Sequence, residues 1–428
     1  MSAPLMTAPV VSTLPTVTLP TQVQVVSQPP IMSAPIMSAP IMSAPIMSAP
    51  ITSTPITSAP VLTAIPSVPE TIAPTEVTKK ISREEMIAKG ILLTSDTLPP
   101  ETLESPPVPD WLAVFQGLIE PPIYQNHHFD STKWNAVKPR ADDIVIVTAY
   151  KSGTTWMQQI VSEILFQGQE KPGTVGDMSP WVDLRVPPAE VLDEMLEGQT
   201  WRRFLKTHMP ADAFLPYFQP ENKYIYVARD GRDAFMSLCN HYEKGNEAWY
   251  GALNMSPGLV GDPLPTWTEL GGDVSALFDT WLTQGWPTLP DETDGWPFWS
   301  YFKNVKTWWE LAFGQGQNNI LFVHFNNMKA DLDGEMRKIA EFLEVPVNEE
   351  AWAKCVLSCT FDEMHKNAEV VAPLNGALWE GGAKSFIFKG TNERWRGVLS
   401  EDQVAAYEDK ASQELGDECA KFMATGSI

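Results

Sequence analysis

Residues 143–148 (DIVIVT) constrain the fold of this chain more than any other segment. Four consecutive β-branched residues with no polar alternation leave neither face of a strand fit for water. Such a run belongs in a parallel sheet covered on both sides. A polar turn, AYKSG, follows. Residues 155–166 then carry Trp156, Ile160, Ile164 and Leu165 at helical spacing. Strand, tight loop and helix together set a helix N-terminus where an anion can rest on it.

The pattern recurs. Residues 203–206 predict a short strand ending at Thr207-His208. Residues 223–227 (KYIYV) predict another, ending at Ala228-Arg229-Asp230, with a helix from about Asp233 to Tyr242 behind it. Residues 320–324 (ILFVH) predict a fourth, with a helix from about Met328 to Leu343. Strands alternating with helices indicate an α/β fold with a central, mostly parallel sheet. Ligands of such sheets gather beyond the C-terminal strand ends. Lys151, His208 and Arg229 each fall just past one, so three segments distant in sequence converge on one rim.

Charge sharpens the question of ligand. The net charge is −23, which repels nucleic acid and anionic membranes. An anionic ligand therefore needs a local basic pocket. No uncharged apolar run is long enough to cross a bilayer. Cys239, Cys355, Cys359 and Cys419 include one close pair with no matching second pair, so reduced thiols are expected and no metal site is.

The first 78 residues follow different rules. They contain no Lys or Arg, and their only acids are Glu70 and Glu76. From Ile31 to Pro50 the pentapeptide Ile-Met-Ser-Ala-Pro repeats four times, and two variants extend it to Pro60. Proline at every fifth position bars helix in each repeat, so a disordered tail, extended and polyproline-like, is expected, either as a spacer or as a docking segment. Proline also interrupts every candidate signal core, and Arg is missing for a transit peptide. Three parts result: a low-complexity tail over 1–78, a helix over 79–93 with a Pro-rich linker to 109, and a globular domain over 110–428.

The loop after the first strand reads Tyr150-Lys151-Ser152-Gly153-Thr154-Thr155-Trp156. Gly153 lets backbone approach an anion. Successive amides from Ser152 onward can form a cradle, Lys151 adds charge, and Thr154 and Thr155 add hydroxyls. The GxxxxGK[ST] pattern is absent, which argues against a nucleotide kinase or NTPase. KSGTTW in this position resembles the 5′-phosphosulfate loop of the cytosolic sulfotransferase family, with Tyr150 where that family usually has Pro. Phe204-Leu205-Lys206-Thr207-His208-Met209-Pro210 resembles the family's KTH segment, whose His is the catalytic base. Residues 226–233 (YVARDGRD) with Ser237 resemble its 3′-phosphate segment, which implies phosphate binding by Arg229 and Ser237. Thr360-Phe361 resembles a stretch lining adenine, a base on which Trp156 and Phe361 could stack. Pro180-Trp181-Val182-Asp183 resembles an acceptor-side turn.

The match runs from about Lys138 to Leu399. Near its end, Lys389-Gly390 resembles the family's phosphate-closing loop, but Phe388 stands where Arg is expected and Glu393-Arg394 where Gly-Asp is usual. One phosphate contact is therefore missing or supplied elsewhere, and a weakly active nucleotide-binding protein is the non-enzyme alternative. The family's dimerisation motif is degraded beyond Arg396, so its usual dimer is not expected.

The resemblance implies a P-loop-like three-layer α/β fold. It also implies transfer of a sulfuryl group from 3′-phosphoadenosine 5′-phosphosulfate (PAPS) to a small acceptor in the cytoplasm. His208 would be the base, with Lys151 and Lys206 beside the transferring group and no metal. Phenols, alcohols, steroids and amines all fit that chemistry, with a mild preference for apolar or aromatic acceptors. Residues 247–299, rich in Trp, Pro and Gly, match the family poorly, and read either as an enlarged acceptor-side loop or lid or as a long surface excursion with no catalytic role.

Overall fold

The computed structural model describes residues 110–289 and 291–428. The tail over 1–78 and the helix and linker over 79–109 lie outside the described residues. The strands are β1 (Ile144–Val147), β2 (Phe204–Thr207), β3 (Lys223–Ala228) and β4 (Ile320–His324). All pair in parallel, in the order β2-β1-β3-β4. The consecutive β-branched residues of β1 serve two cores. Ile144 and Ile146 enter one, Val145 and Val147 the other, as the alternation of side chains along a strand requires.

On the face of Ile144 and Ile146 the sheet is covered by α1 (Thr154–Phe166), which supplies Met157, Ile160, Val161 and Ile164. On the opposite face lie α2 (Gly231–Lys244), α3 (Glu247–Met255), α4 (Val274–Thr283) and α5 (Tyr301–Trp309). Beyond β4, α6 (Phe325–Ala330) and α7 (Leu332–Phe342) return to the face of α1, and α8 (Glu349–Ser358) packs beside them. The three-layer α/β arrangement matches the reading from sequence.

The helix read from about Met328 to Leu343 is two helices. Asp331 leaves helical geometry at φ −145°, and its side chain accepts from the Gly334 amide to cap α7. An Asp side chain that takes a free amide offers the backbone an alternative to continuing.

Residues 247–299 are not a surface excursion. Trp249, Trp281, Trp286 and Trp299 are all buried. The Trp281 indole donates to the Tyr150 hydroxyl at 2.6 Å, and the Trp299 indole donates to the Ala149 carbonyl at 2.8 Å. Tyr150 thus anchors this segment against the loop after β1, something a proline there could not do.

Candidate active site

Parallel register explains why distant residues meet. Val147 pairs with Thr207 and with Tyr226, and Ala228 with His324. Thr148, His208 and Arg229 therefore leave the sheet at nearly one level. After β1 the chain turns sharply, with Lys151 at φ 48° and Gly153 at φ 107°. A Cβ on Gly153 would sit 3.0 Å from the Phe325 ring. Glycine is needed there both for the backbone and for space. The amides from Gly153 onward open α1, where the helix dipole favours an anion.

The Lys151 ammonium lies 3.2 Å from His241 Nδ1 and 5.0 Å over the Phe386 ring. Burial, then Lys206, Arg229 and Arg394, hold its pKa down to about 7. Lys206 sits 4.9 Å over the Trp181 indole, and burial holds it down to about 8. A cluster of cations in a dry place awaits negative charge.

His208 is 7% exposed. Its Nδ1 lies 2.9 Å from the Thr148 carbonyl oxygen and 2.9 Å from Thr148 Oγ1, which in turn lies 2.8 Å from Thr154 Oγ1. A carbonyl only accepts, so Nδ1 carries the proton. Burial, with Lys206 and Lys151 beside it, holds this imidazole well below its usual pKa. The ring is neutral and Nε2 keeps a lone pair. Trp181 packs edge-on at 4.7 Å, and its indole is fixed by Asp183 Oδ2 at 2.9 Å.

Arg229 makes no ion pair with Asp230 or Asp233. Its guanidinium donates to the Lys151 carbonyl at 2.8 Å, to the Thr391 carbonyl at 3.2 Å and to Asn392 Oδ1 at 2.8 Å. It lies 4.3 Å over Phe325. Asp230 instead holds Arg232, which also reaches Glu408 and stacks on Trp395. Arg232 is thus held by structural contacts. Asp233 accepts from the Glu393 amide at 2.6 Å. These bonds bring the loop 388–394 onto the rim. Arg394 enters with it, 5.3 Å from the Phe388 ring and close enough to Lys151 and Arg229 to depress both.

A cavity of about 1020 Å³ runs along this rim. Lys151, Gly153, Thr154, Thr155, Trp156 and Arg229 line one part of it, as do Ser237, Thr360, Phe361, Lys389 and Gly390. The Ser152 side chain is not among its walls and turns back to the Tyr150 carbonyl at 3.0 Å. The Thr360 hydroxyl is spent on the Leu357 carbonyl and on capping the Phe361–Lys366 helix. The Trp156 indole donates to the Cys359 carbonyl at 2.7 Å, while Phe361 is 39% exposed. The part beyond His208 is aromatic and apolar, walled by Trp181, Trp249, Phe298, Trp299 and Phe386.

Sequence reasoning missed His128, His241 and Asn392, and it met Arg394 only as a departure from the family loop. No motif marks them. They reach the rim only because distant segments pack there.

The chain from residue 141 to 418 matches the family model described as a sulfotransferase domain. It is 28% identical to a glycolipid sulfotransferase of Mycobacterium bovis (strain BCG / Pasteur 1173P2), over 68% of this chain and 90% of the relative. It is 29% identical to sulfotransferase 1B1 of Mus musculus, over 65% of this chain and 85% of the relative. Among solved structures, mouse sulfotransferase SULT7A1 complexed with PAP aligns with a TM-score of 0.49 at 22% identity, covering 68% of this chain and 91% of that one.

Proposed function

The chain belongs to the sulfotransferase domain family, and on that premise we propose that it moves a sulfuryl group from PAPS to a hydroxyl, or an amine, of a small and largely apolar acceptor. The observation that carries this reading is the neutral His208 with Nδ1 tied to the Thr148 carbonyl, in one cavity with Lys151 and Lys206. Such an imidazole can take a proton only at Nε2.

In this reading His208 Nε2 removes the acceptor proton as the acceptor oxygen attacks sulfur. The new S–O bond forms as the bond from sulfur to the bridging phosphate oxygen breaks, and that oxygen leaves with PAP. Lys151 offsets its growing charge. Lys206 and the amides opening α1 hold the equatorial oxygens. Arg229, Ser237 and Lys389 hold the 3′-phosphate. Arg394 supplies the cation that Phe388 cannot. These are positioning and electrostatic tasks.

The aromatic wall beyond His208 supports an apolar acceptor. The buried, unpaired state of Cys239, Cys355, Cys359 and Cys419 supports a reducing, cytoplasmic setting. The transferase in this proposal spans 110–428, with 1–78 as a tail and 79–109 as helix and linker.

The test is transfer of radiolabelled sulfate from PAPS to a panel of phenols and alcohols. His208→Ala is expected to lower turnover about 10²–10⁴-fold while PAP binding persists. Near-normal transfer by the folded variant would refute the role of His208.

A further inference from the structure

Beyond His208 the cavity contains a second imidazole whose protons are fixed from outside. His127 Nε2 lies 2.7 Å from the Pro297 carbonyl oxygen. A carbonyl only accepts, so the His127 proton sits on Nε2. Burial holds this ring down to about 3, so it carries that proton alone. Its Nδ1 is then a lone pair, and it faces Nδ1 of His128. The His128 proton must occupy that Nδ1, which leaves His128 Nε2 bare. The His128 ring lines the cavity, against Phe298 at 4.7 Å, Trp299 at 5.6 Å and Trp181 at 6.0 Å. Trp181 and Trp299 are also the two indoles against His208.

A bare acceptor among aromatic walls costs free energy unless a donor reaches it. A phenyl ring would fill the same space without that cost. The donor that fits is neutral, because Arg185 lies close behind, with its guanidinium 3.0 Å from the His127 carbonyl. We propose that His128 Nε2 receives a second hydroxyl of the acceptor molecule, so that preferred acceptors are apolar molecules with two hydroxyls, one at His208 and one at His128. The proposal rests on the sulfuryl-transfer reading for the first hydroxyl only.

Rigid aromatic probes of graded span test it: resorcinol, 2,6-dihydroxynaphthalene and 4,4′-dihydroxybiphenyl, each beside its monohydroxy parent and its monomethyl ether. Binding is read by quenching of the cavity tryptophans, with and without PAP, and sulfation by labelled PAPS. At least one diol is expected to bind about tenfold more tightly than both controls. His128→Leu is expected to erase that preference, so that on the variant the diol binds no more tightly than its own monohydroxy parent and monomethyl ether. His128→Gln, which retains an acceptor, is expected to restore part of it.

If no diol exceeds its parent and ether, the proposal is overturned whether or not the variants fold. A preference surviving in folded His128→Leu also overturns it. A diol preference in binding without labelled product supports the His128 site and counts against the transfer reading.

Discussion

At the scale of single residues, the rim is organised by which proton is held where. The Thr148 carbonyl decides the tautomer of His208, and the Pro297 carbonyl, through His127, decides that of His128. Lys151 and Lys206 are the groups most exposed to change by ligand charge. Both have pKa values below the usual 10.5, at about 7 and about 8. A bound phosphate favours the ammonium form and raises them again. At pH 6 both are already protonated and binding needs no proton. Above pH 8 binding must draw protons in, so affinity for PAP falls as pH rises, by up to about tenfold per unit for each lysine. Calorimetry from pH 6 to 9, in buffers of different ionisation enthalpy, reads both the affinity and the proton uptake. A dissociation constant flat across that range would sink the argument.

At the scale of elements, the opening of α1 and the loop 388–394 carry the proposed anion site. Gly153→Ala puts a side chain at φ 107° against Phe325. It is expected to cost more than about 1 kcal/mol in urea unfolding. The loop 388–394 carries Phe388 where a cation is expected. Its fold returns Arg394 to the rim beside Lys151 and Arg229. Arg394→Ala is therefore expected to weaken PAP binding about tenfold or more, the scale of a charge-assisted hydrogen bond. Little change in the PAP dissociation constant would show that Arg394 holds no phosphate. The elements that define the rim were legible because each ends in a signal. Apolar β-branched runs give the strands, and Lys151, His208 and Arg229 follow them directly. The break at Asp331 was hidden, because an apolar period continues across it and only the side-chain bond to Gly334 ends the helix.

For the whole molecule, a chain of net charge −23 concentrates cations in one cavity. The surrounding field repels anions in general, and the clustered cations offset it locally. Residues 1–78 bring two acids, no Lys or Arg, and a proline-punctuated repeat. Deleting them is expected to move the melting temperature by less than about 2 °C and to leave PAP binding intact. A larger fall would mean that the tail packs on the domain.

The sequence alone determined the sheet, its ligand-binding rim and the residues that leave it at Lys151, His208 and Arg229. These follow from local patterns: burial of both faces of a strand, and a short loop before a helix. The candidate anion loop was also legible in it, since Gly153 and the hydroxyls beside it are contiguous. Only the tertiary structure decided that Trp249, Phe298 and Trp299 of residues 247–299 wall the cavity, that Tyr150 anchors this segment, that Arg394 and Asn392 join the rim, and that His127 sets the proton on His128. Each of these depends on contacts between segments far apart in the chain. Such contacts follow from how side chains fill a shared interior, and no local spacing encodes them.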